Sequence, residues 1–461
     1  MKFSLFFRHT IPSLEKDAPR CLVLGAGASG IASARLLDAV GAEVVLIDSA
    51  PEEKLSRARE ALSPTRVKLI GSASAVPDGV FDLCVVSPSI PVGHPWLRAC
   101  ASRAVPVISE MELGFAFWPG RILAVTGSKG KSSVVKLCAE TLTQAGHPAL
   151  PCGNYGTPLS QLVLDNPSLE WAIAETSSFQ LEHVAAYRPD VAILLNLQAD
   201  HLNRHGTFEE YAAMKFRLFR KQGEGDKAFL PVPLELHGQE IPRNVPVERF
   251  GSSESASWRY RPSCVVWEKG DDSIHFDLSG SWFDNPVLGE AAAAVCGALT
   301  FCGLSPKEIS AGLKAYKPLP HRMQHVAVVN DVLYIDDSKA TSLAATAAAL
   351  RMTSGPIRLI AGGQFKERDS SFLKDLLSKS VKKVYLIGDC AETFFKAWHD
   401  AVPCVDCGTL ENAVGQAMAE AEKGDTVLLS PGCASFDQFA SYGERGSRFT
   451  HLISSNGRAS S

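Results

Sequence analysis

The sequence predicts an α/β protein of three domains whose sheets are mostly parallel. The chain has 461 residues, which is too long for a single hydrophobic core, so several domains are expected. Short apolar runs typical of strands alternate with helical segments along most of that length. Two glycine-containing loops each follow a strand-like run and open a helical segment, as phosphate-binding loops do. Together these observations indicate Rossmann-like and P-loop-type units.

The first predicted domain, residues 1–109, is Rossmann-like. Its strand-like runs are "CLVLG" from residue 21, "EVVLID" from residue 43 and "FDLCVVSPSI" from residue 81. The central domain, residues 110–318, is of the P-loop ATPase type and contains "RILAVTG", "WAIAE" and "DVAILLN". Within it, the polar residues 222–284 break the alternation and predict irregular or antiparallel structure.

The third predicted domain, residues 319–461, is again Rossmann-like. It follows "YKPLPHR", whose two prolines indicate a linker. Its strand-like runs are "VLYIDD", "IRLIAGG", "KVYLIGD" and "TVLLSPG".

The composition argues against several kinds of partner. With 21% charged residues and a net charge of −4, the chain gives no sign of binding nucleic acid or an anionic membrane. No apolar run reaches transmembrane length and the N-terminus lacks a signal-peptide core, so we expect a cytoplasmic protein. The twelve cysteines are scattered singly, which predicts buried, reduced thiols. We also expect a monomer.

The first glycine loop is "GAGASG", residues 25–30. Glycines let the backbone approach a diphosphate, and the N-terminus of the following helix offers free N–H groups. Asp48, at the end of the next strand, completes the pattern. The loop indicates a diphosphate without specifying which one. An NAD-dependent oxidoreductase therefore stays open here, as does a tight turn without a ligand.

The second loop, "TGSKGKSS", occupies residues 126–133. Gly130, Lys131 and Ser132 fit the pattern G-x-x-x-x-G-K-[ST], whereas Val125 stands at its first glycine. A shorter loop still leaves the lysine and the hydroxyl at the helix N-terminus. The lysine can then reach terminal phosphates, and the hydroxyl is placed for Mg²⁺.

Polar side chains follow the strands of the central domain at their carboxyl ends. Parallel α/β sheets bind ligands at this edge. Glu175 ends "WAIAE", His201 follows "DVAILLN", and Lys215 lies on the helix "FEEYAAMKFRLF". Each alone has an ordinary structural explanation. With Lys131 and Ser132 they form a metal and phosphate set, in which Lys131, His201 and Lys215 are the candidate catalytic residues.

The third domain repeats this arrangement. "DDSKAT", "GGQFK" and "SPGCASFDQF" each follow a strand-like run. Lys339 and Lys366 are cations in these loops, and they predict contacts with a carboxylate or a phosphate.

With these motifs the chain resembles the Mur ligase family. The matching segments, in family order, are "GAGASG", "SPSIPVGHP", "AVTGSKGKSS", "CGNYGTPL", "ETSSFQLE", "DHLNRH", "AAMKFRLF", "LPHR", "DDSKAT", "GGQFK" and "SPGCASFDQF". The family joins an amino acid to the carboxylate of a UDP-sugar peptide, with ATP activating that carboxylate as an acyl phosphate. The resemblance is greatest to members that add D-glutamate to UDP-N-acetylmuramoyl-L-alanine. It gives each glycine loop a ligand, UDP for the first and ATP for the second.

The resemblance also implies a role for individual residues. The UDP substrate is expected at Gly27, Ala28, Ser29, Gly30 and Asp48. ATP is expected at Gly127, Ser128, Lys129, Gly130, Lys131, Ser132, Ser133, Asn154, Arg322 and Asp337. Mg²⁺ is expected at Ser132, Glu175, His201 and Lys215, the last as a carbamate. D-glutamate is expected at Lys339, Thr341, Lys366, Ser435 and Phe439.

The sequence departs from the family pattern near the nucleotide. "GEAAAAVCGAL", residues 289–299, has alanines where the family carries a His-Asn pair, and Lys129 replaces a common asparagine. We therefore expect ATP to be held differently. Another Mur-type amino-acid ligase and a non-catalytic nucleotide-binding relative remain as alternatives. An NAD-dependent oxidoreductase would leave the second loop and the third domain unexplained.

Overall fold

Three sheets organise the part of the chain that this computed structural model describes, residues 17–166, 168–366 and 369–457. The chain divides into two units. The first unit contains the described residues up to Asp284 and Leu288–Tyr316, and the second contains Asn285–Val287 and the described residues from Lys317 onward. The domain boundaries near residues 109 and 318 remain predictions.

The first sheet is parallel throughout. Its strands are β1 (Arg20–Leu24), β2 (Glu43–Ile47), β3 (Lys68–Ile70), β4 (Leu83–Val86) and β5 (Val107–Ser109). Its helices are α1 (Ala28–Ala39), α2 (Ser56–Leu62) and α3 (Pro95–Ser102), with a 3₁₀ turn at Glu52–Leu55. The spatial order β3-β2-β1-β4-β5 places the switch in strand order beside β1, where the first glycine loop begins.

The second sheet lies in the same unit and has the order β14-β13-β12-β11-β10-β9-β6-β8-β7. Its strands are β6 (Arg121–Thr126), β7 (Ala149–Gly153), β8 (Trp171–Glu175), β9 (Val191–Leu194), β10 (Lys227–Pro231), β11 (Val247–Gly251), β12 (Trp258–Arg261), β13 (Cys264–Lys269) and β14 (Asp272–Asp277). The helices around it are α4 (Glu110–Phe117), α5 (Lys131–Gln144), α6 (Leu159–Asp165), α7 (Leu202–His205), α8 (Phe208–Phe216), α9 (Gly289–Phe301) and α10 (Pro306–Ala315), with a 3₁₀ turn at Arg217–Phe219.

The polar stretch at residues 222–284 is only partly as predicted. Strands β13 and β14 are antiparallel, which confirms the prediction there. Strands β10, β11 and β12 instead extend the parallel sheet, so the prediction is wrong for them. Their apolar pattern is broken by charged residues such as Glu248 and Arg249, whereas the alanine-rich α9 packs closely on them. A Cβ atom at Gly297 would lie 2.4 Å from Phe229.

The third sheet forms the second unit. Its strands are β15 (Gln324–Val329), β16 (Val332–Asp336), β17 (Ile357–Gly362), β18 (Val381–Ile387), β19 (Cys404–Gly408) and β20 (Thr426–Leu429). Its helices are α11 (Leu343–Met352), α12 (Lys374–Ser380), α13 (Ala391–Trp398), α14 (Leu410–Glu420) and α15 (Tyr442–Gly457), with a 3₁₀ turn at Ser371–Leu373. The order is β15-β16-β20-β17-β18-β19, and β15 alone among these six strands runs antiparallel to its neighbour.

Helix α4, which follows β5, is anchored by two buried carboxylates to segments around the second sheet. Glu112 accepts the N–H groups of residues 185–187 at 2.7 to 3.0 Å. Glu110 accepts the Ser160 N–H at 2.6 Å through Oε1, but its buried Oε2 has no hydrogen-bond partner among the described residues. Burial raises the pKa of Glu110 to about 7. Residues of both sheets and α4 share one apolar core.

Two further observations concern the whole described chain. All twelve cysteines are free, and all except the half-buried Cys264 and Cys404 are buried, as predicted. In the described ranges, none of the helices combines the length and apolar character needed to cross a bilayer.

Candidate functional site

The phosphate loop connects β6 to α5 in a conformation that requires its glycines. Gly127 has φ +149° and Gly130 has φ +84°, which other residues rarely adopt. A Cβ atom at Gly127 would also lie 3.1 Å from Leu195 Cβ. Helix α5 begins at Lys131, so the first N–H groups of this helix face the loop without intrahelical acceptors. The loop is thus shaped to bind an anion.

Asn196, just beyond β9, fixes the shape of this loop. Its Oδ1 accepts the N–H groups of Ser128 and Lys129 at 3.0 and 2.9 Å, and its Nδ2 donates to the Lys129 carbonyl at 3.1 Å. The Ser128 hydroxyl donates to the Gln198 carbonyl at 2.8 Å and lies 2.9 Å from the Tyr211 hydroxyl. The loop is therefore held in place from the next strand and from α8.

Two lysines converge on the backbone of the loop. Lys131 Nζ donates to the carbonyls of Gly127 and Ser128 at 2.7 and 3.1 Å. Lys215 Nζ donates to the same Gly127 carbonyl at 2.9 Å and lies 4.6 Å from the centre of the Tyr211 ring. The Lys215 side chain is 2% exposed. Burial, and next the Lys131 ammonium, lower the pKa of Lys215 to about 7.

Glu175, at the end of β8, is buried beside the loop. Its Oε1 accepts a hydrogen bond from Asn154 Nδ2 at 2.6 Å, so Asn154 positions this carboxylate. Its Oε2 is buried and has no hydrogen-bond partner among the described residues. Leaving a buried carboxylate oxygen unpaired is costly, which fits an oxygen that binds a cation.

His201 lies at the start of α7 with a left-handed backbone, φ +54°. Its side chain is half exposed, and its ring packs 4.9 Å from that of Phe179. Lys129 pairs with the neighbouring Asp200 at 3.2 Å. Burial lowers the pKa of His201; Asp200 opposes this, while the three lysines at positions 129, 131 and 215 add to it. The predicted set therefore meets at one sheet edge, with positive charge in excess.

Arg204, on the same short helix, links this edge to the first sheet. Its guanidinium forms a two-point pair with Glu182 at 2.9 and 2.5 Å. It also donates to the carbonyls of Ile90 and Ser89, in the loop after β4, at 2.9 and 3.4 Å. The Glu182 side chain is 4% exposed, so this ion pair is largely desolvated.

The first glycine loop is built as the sequence predicts. Gly25 has φ +92°, and a Cβ atom at Gly30 would lie 1.8 Å from the Gly25 carbonyl oxygen. Asp48 accepts the N–H groups of Ala26 and Ala50 at 2.7 and 2.8 Å. Its carboxylate therefore shapes the loop. Helix α1 starts after Gly27 without a side-chain cap, which leaves its first N–H groups available to a ligand.

In the second unit, the predicted residues follow neighbouring strands β16, β20 and β17. Lys339 Nζ lies 3.8 Å from the centre of the Tyr442 ring, and the exposed Lys366 lies 5.5 Å from that of Phe436. The remaining predicted residues of this group differ in exposure: Thr341 is exposed, Phe439 is half-buried and Ser435 is buried. Both lysines are thus held against exposed or half-buried aromatic rings.

Asp337 is buried within this unit. Its Oδ1 accepts the Met323 N–H at 3.1 Å, and its Oδ2 accepts the Ser430 hydroxyl at 2.8 Å. Burial raises the pKa of Asp337 to about 7. Arg322, half-buried, lies just before β15 and lowers that pKa in turn.

Arg445, on α15, ties two of these loops together. Its buried guanidinium donates to the hydroxyl and carbonyl of Ser338, both at 3.0 Å, and to the Cys433 carbonyl at 3.0 Å. The loops that carry Lys339 and Ser435 are therefore held at one edge of the third sheet.

Comparison with known proteins identifies the family. A family model described as Mur ligase middle domain matches residues 125–293, and one described as Mur ligase, glutamate ligase domain matches residues 321–433. A curated relative from Koribacter versatilis is 39% identical over 449 residues, which cover 94% of this chain and 97% of the relative. The chain belongs to the Mur ligase family. That relative is named UDP-N-acetylmuramoylalanine--D-glutamate ligase, as is one from Acidobacterium capsulatum, 35% identical over 95% of this chain and 97% of its own length.

Solved structures show the Mur ligase fold. The MurF ligase from Thermotoga maritima, in complex with ADP, has a TM-score of 0.60 at 18% identity and covers 91% of this chain and 96% of its own. A pseudomurein peptide ligase type C from Methanothermus fervidus has a TM-score of 0.57 at 17% identity, and the match covers 95% of this chain and 100% of that ligase. The predicted α/β fold class is thereby confirmed.

Sequence reasoning missed several residues that position the candidate site. Asn196 ends the strand-like run "DVAILLN", so its position at a carboxyl strand end was a usable signal. Arg204 and Glu182 lie in the matching segments "DHLNRH" and "ETSSFQLE", yet their pairing depends on tertiary structure. Arg445 follows the last matching segment, and no pattern in the sequence indicated it.

Proposed function

We propose that the protein is an ATP-dependent amide ligase that adds D-glutamate to UDP-N-acetylmuramoyl-L-alanine in peptidoglycan precursor synthesis. Its Mur ligase relatives at 35 and 39% identity are named for this reaction. The observation that carries the proposal is the phosphate loop with the buried, half-paired Glu175 carboxylate beside it. That arrangement suits a nucleotide whose terminal phosphate is transferred.

The chemistry explains why the chain has two glycine loops. A carboxylate is a poor acylating agent, so the substrate carboxylate is first phosphorylated by ATP, and the amine of D-glutamate then displaces phosphate. The products are the amide, ADP and phosphate. We assign the ATP phosphates to residues 127–133, where Lys131 is half-buried beside the loop. Preorganised cations there stabilise the charge that develops during both steps.

We assign Mg²⁺ to four residues: Ser132, Glu175, His201 and Lys215. Among the described residues, no three histidine, cysteine, aspartate or glutamate side chains cluster as a metal site. Proteins usually bind Mg²⁺ through one or two carboxylates together with substrate phosphates. Mg²⁺ supplies charge stabilisation to the phosphates when it is bound. A carbamate on Lys215 would add an anionic oxygen where an ammonium would repel the cation.

The two substrates are assigned to separate parts of the chain. The UDP substrate belongs to the first predicted domain, at residues 27–30, where α1 has uncapped N–H groups, and at Asp48. D-glutamate belongs to the third, where Lys339 and Lys366 match its two carboxylates in charge, together with Thr341, Ser435 and Phe439. We also assign three residues to ATP: Asn154, Arg322 and Asp337. A cytoplasmic monomer remains our expectation.

Phosphate release from ATP tests this proposal. We expect release with UDP-N-acetylmuramoyl-L-alanine only when D-glutamate is also present, and little release with L-glutamate or L-alanine. The matched control is Lys131→Ala, which should abolish release while UDP-substrate binding persists. Release with a different amino acid would keep the family and change the specificity. No release with any amino acid, despite ATP binding, would identify a non-catalytic relative.

A further inference from the structure

Two cysteines of the second unit have their sulfur atoms in contact. Cys390 follows β18 and Cys433 follows β20, the two strands that flank β17 in the third sheet. Their Sγ atoms are 3.4 Å apart, and both side chains are buried. In the part of the chain that the structure describes, no third histidine, cysteine, aspartate or glutamate joins them as a metal site. The sulfurs of a disulfide are about 2.05 Å apart, so a small approach would bond the two.

Cys390 has the more reactive of the two sulfurs. It is the N-cap residue of α13, where the positive end of the helix dipole favours a thiolate. The hydrogen bond from the Cys433 thiol lowers the pKa of Cys390, which outweighs the opposing effect of burial. The same contact, together with burial, raises the pKa of Cys433. Cys390 is therefore the nucleophile, and Cys433 keeps its proton.

The pair lies beside the loops that we assign to D-glutamate. Gly363, just after β17, is close to both cysteines: its carbonyl accepts the Cys390 N–H at 3.2 Å, and a Cβ atom on it would lie 3.2 Å from Cys433 Cβ. Gly363 is three residues before Lys366, and Cys433 is two residues before Ser435. A shift of the two sulfurs therefore acts on the loops that carry Lys366 and Ser435.

We propose that hydrogen peroxide oxidises Cys390 and Cys433 to a disulfide and that this disulfide weakens D-glutamate binding. The pair is buried, so the oxidant must be small. The Cys390 thiolate attacks a peroxide oxygen, and the O–O bond breaks to leave a sulfenic acid and hydroxide. The Cys433 sulfur then attacks the sulfenic sulfur: the S–S bond forms, the S–O bond breaks, and the Cys433 proton leaves in water. In sum, two thiols lose two hydrogens and the peroxide becomes two waters. The effect on D-glutamate rests on the proposed function.

Peroxide treatment of the full-length protein tests this inference. After catalase removes the peroxide, the remaining thiols are alkylated in the unfolded protein and the peptides are mapped by mass spectrometry. The peptides of Cys390 and Cys433 should be joined, with two hydrogens lost. The KM for D-glutamate in phosphate release should rise about tenfold, the effect of losing one hydrogen bond to a charged group. Binding of UDP-N-acetylmuramoyl-L-alanine should not change. Dithiothreitol should reverse both effects, because it reduces a disulfide but not a sulfinic acid.

Two variants serve as comparisons. Cys390→Ser removes the reactive sulfur and keeps a good N-cap residue, so it should fold, form no joined peptide and keep its KM after peroxide. Cys404→Ser is the matched control, because Cys404 is a half-buried cysteine of the same unit whose thiol donates to the Val402 carbonyl. It should respond to peroxide as wild type does.

Three results would overturn the inference: no joined peptide in wild type, a joined peptide with an unchanged KM, or an equal rise of KM in Cys390→Ser. The proposed function is tested separately, by the untreated protein. If untreated wild type releases no phosphate with D-glutamate, the proposed function fails and the effect on D-glutamate fails with it. Peptide mapping still decides in that case whether the disulfide forms.

Discussion

Glu110→Gln should make the protein more stable above neutral pH. The Glu110 carboxyl is buried, and burial raises its pKa from 4.5 to about 7. At about 1.4 kcal/mol for each pKa unit, burial therefore disfavours the ionised carboxylate in the folded protein by about 3 kcal/mol of free energy. Between pH 4.5 and 7 the folded state binds more protons than the unfolded state, so this group's contribution to stability falls as pH rises. Glutamine resembles the protonated acid and removes that dependence.

Urea unfolding of wild type and Glu110→Gln across this pH range measures the effect. Tryptophan fluorescence suits it, because Trp118 lies in the same core. The two proteins should differ little near pH 5, and the variant should gain up to about 3 kcal/mol by pH 8. Glu112→Gln is the control on the same helix. The Glu112 carboxylate accepts three backbone N–H groups, so this variant should lose about 1–3 kcal/mol of unfolding free energy. A Glu110→Gln difference that stays constant with pH would refute the reasoning.

The remaining predictions concern the site. Lys215→Ala should lower phosphate release roughly 100- to 1,000-fold, and acetate or formate should restore part of it; full activity without them would make Lys215 an ordinary buried lysine. Glu175→Gln should raise the Mg²⁺ concentration needed for half-maximal ATP binding about 10-fold or more, and an unchanged titration would remove it from the metal set. Asp48→Ala should weaken UDP-substrate binding and leave ADP binding unchanged, both read by calorimetry. Arg445→Met should lower the melting temperature and loosen the loop around Ser435, read by hydrogen exchange; unchanged exchange there would exclude its role in holding the loops.

Much of this fold is readable from the sequence because its parallel strands are buried on both faces. "WAIAE" and "VLYIDD" are nearly continuous apolar runs, and the structure has strands at both. The glycine loops are also readable, since their backbone angles restrict the residues that fit. By the same logic, Glu175 is recognisable as a polar residue at a strand end.

What the sequence hides depends on contacts between distant segments. Strand β12, "WRYR", alternates apolar and charged residues, as strands do, but that pattern does not reveal that β12 pairs in parallel with β11 and packs against α9. The contact between Cys390 and Cys433 likewise joins loops that lie 43 residues apart in sequence. No local pattern contains that information.

The bridge made by Arg204 has a thermodynamic consequence. Arg204 lies three residues after His201 in the chain. Its guanidinium also donates a hydrogen bond to the Ile90 carbonyl and so holds the loop after β4. That loop begins at Ser87, whose hydroxyl donates to the Gly25 carbonyl of the first glycine loop at 3.2 Å. One chain of contacts thus runs from the first glycine loop to the candidate metal edge. If it carries coupling, each ligand changes the other's affinity by the same factor, since linkage between two sites is reciprocal.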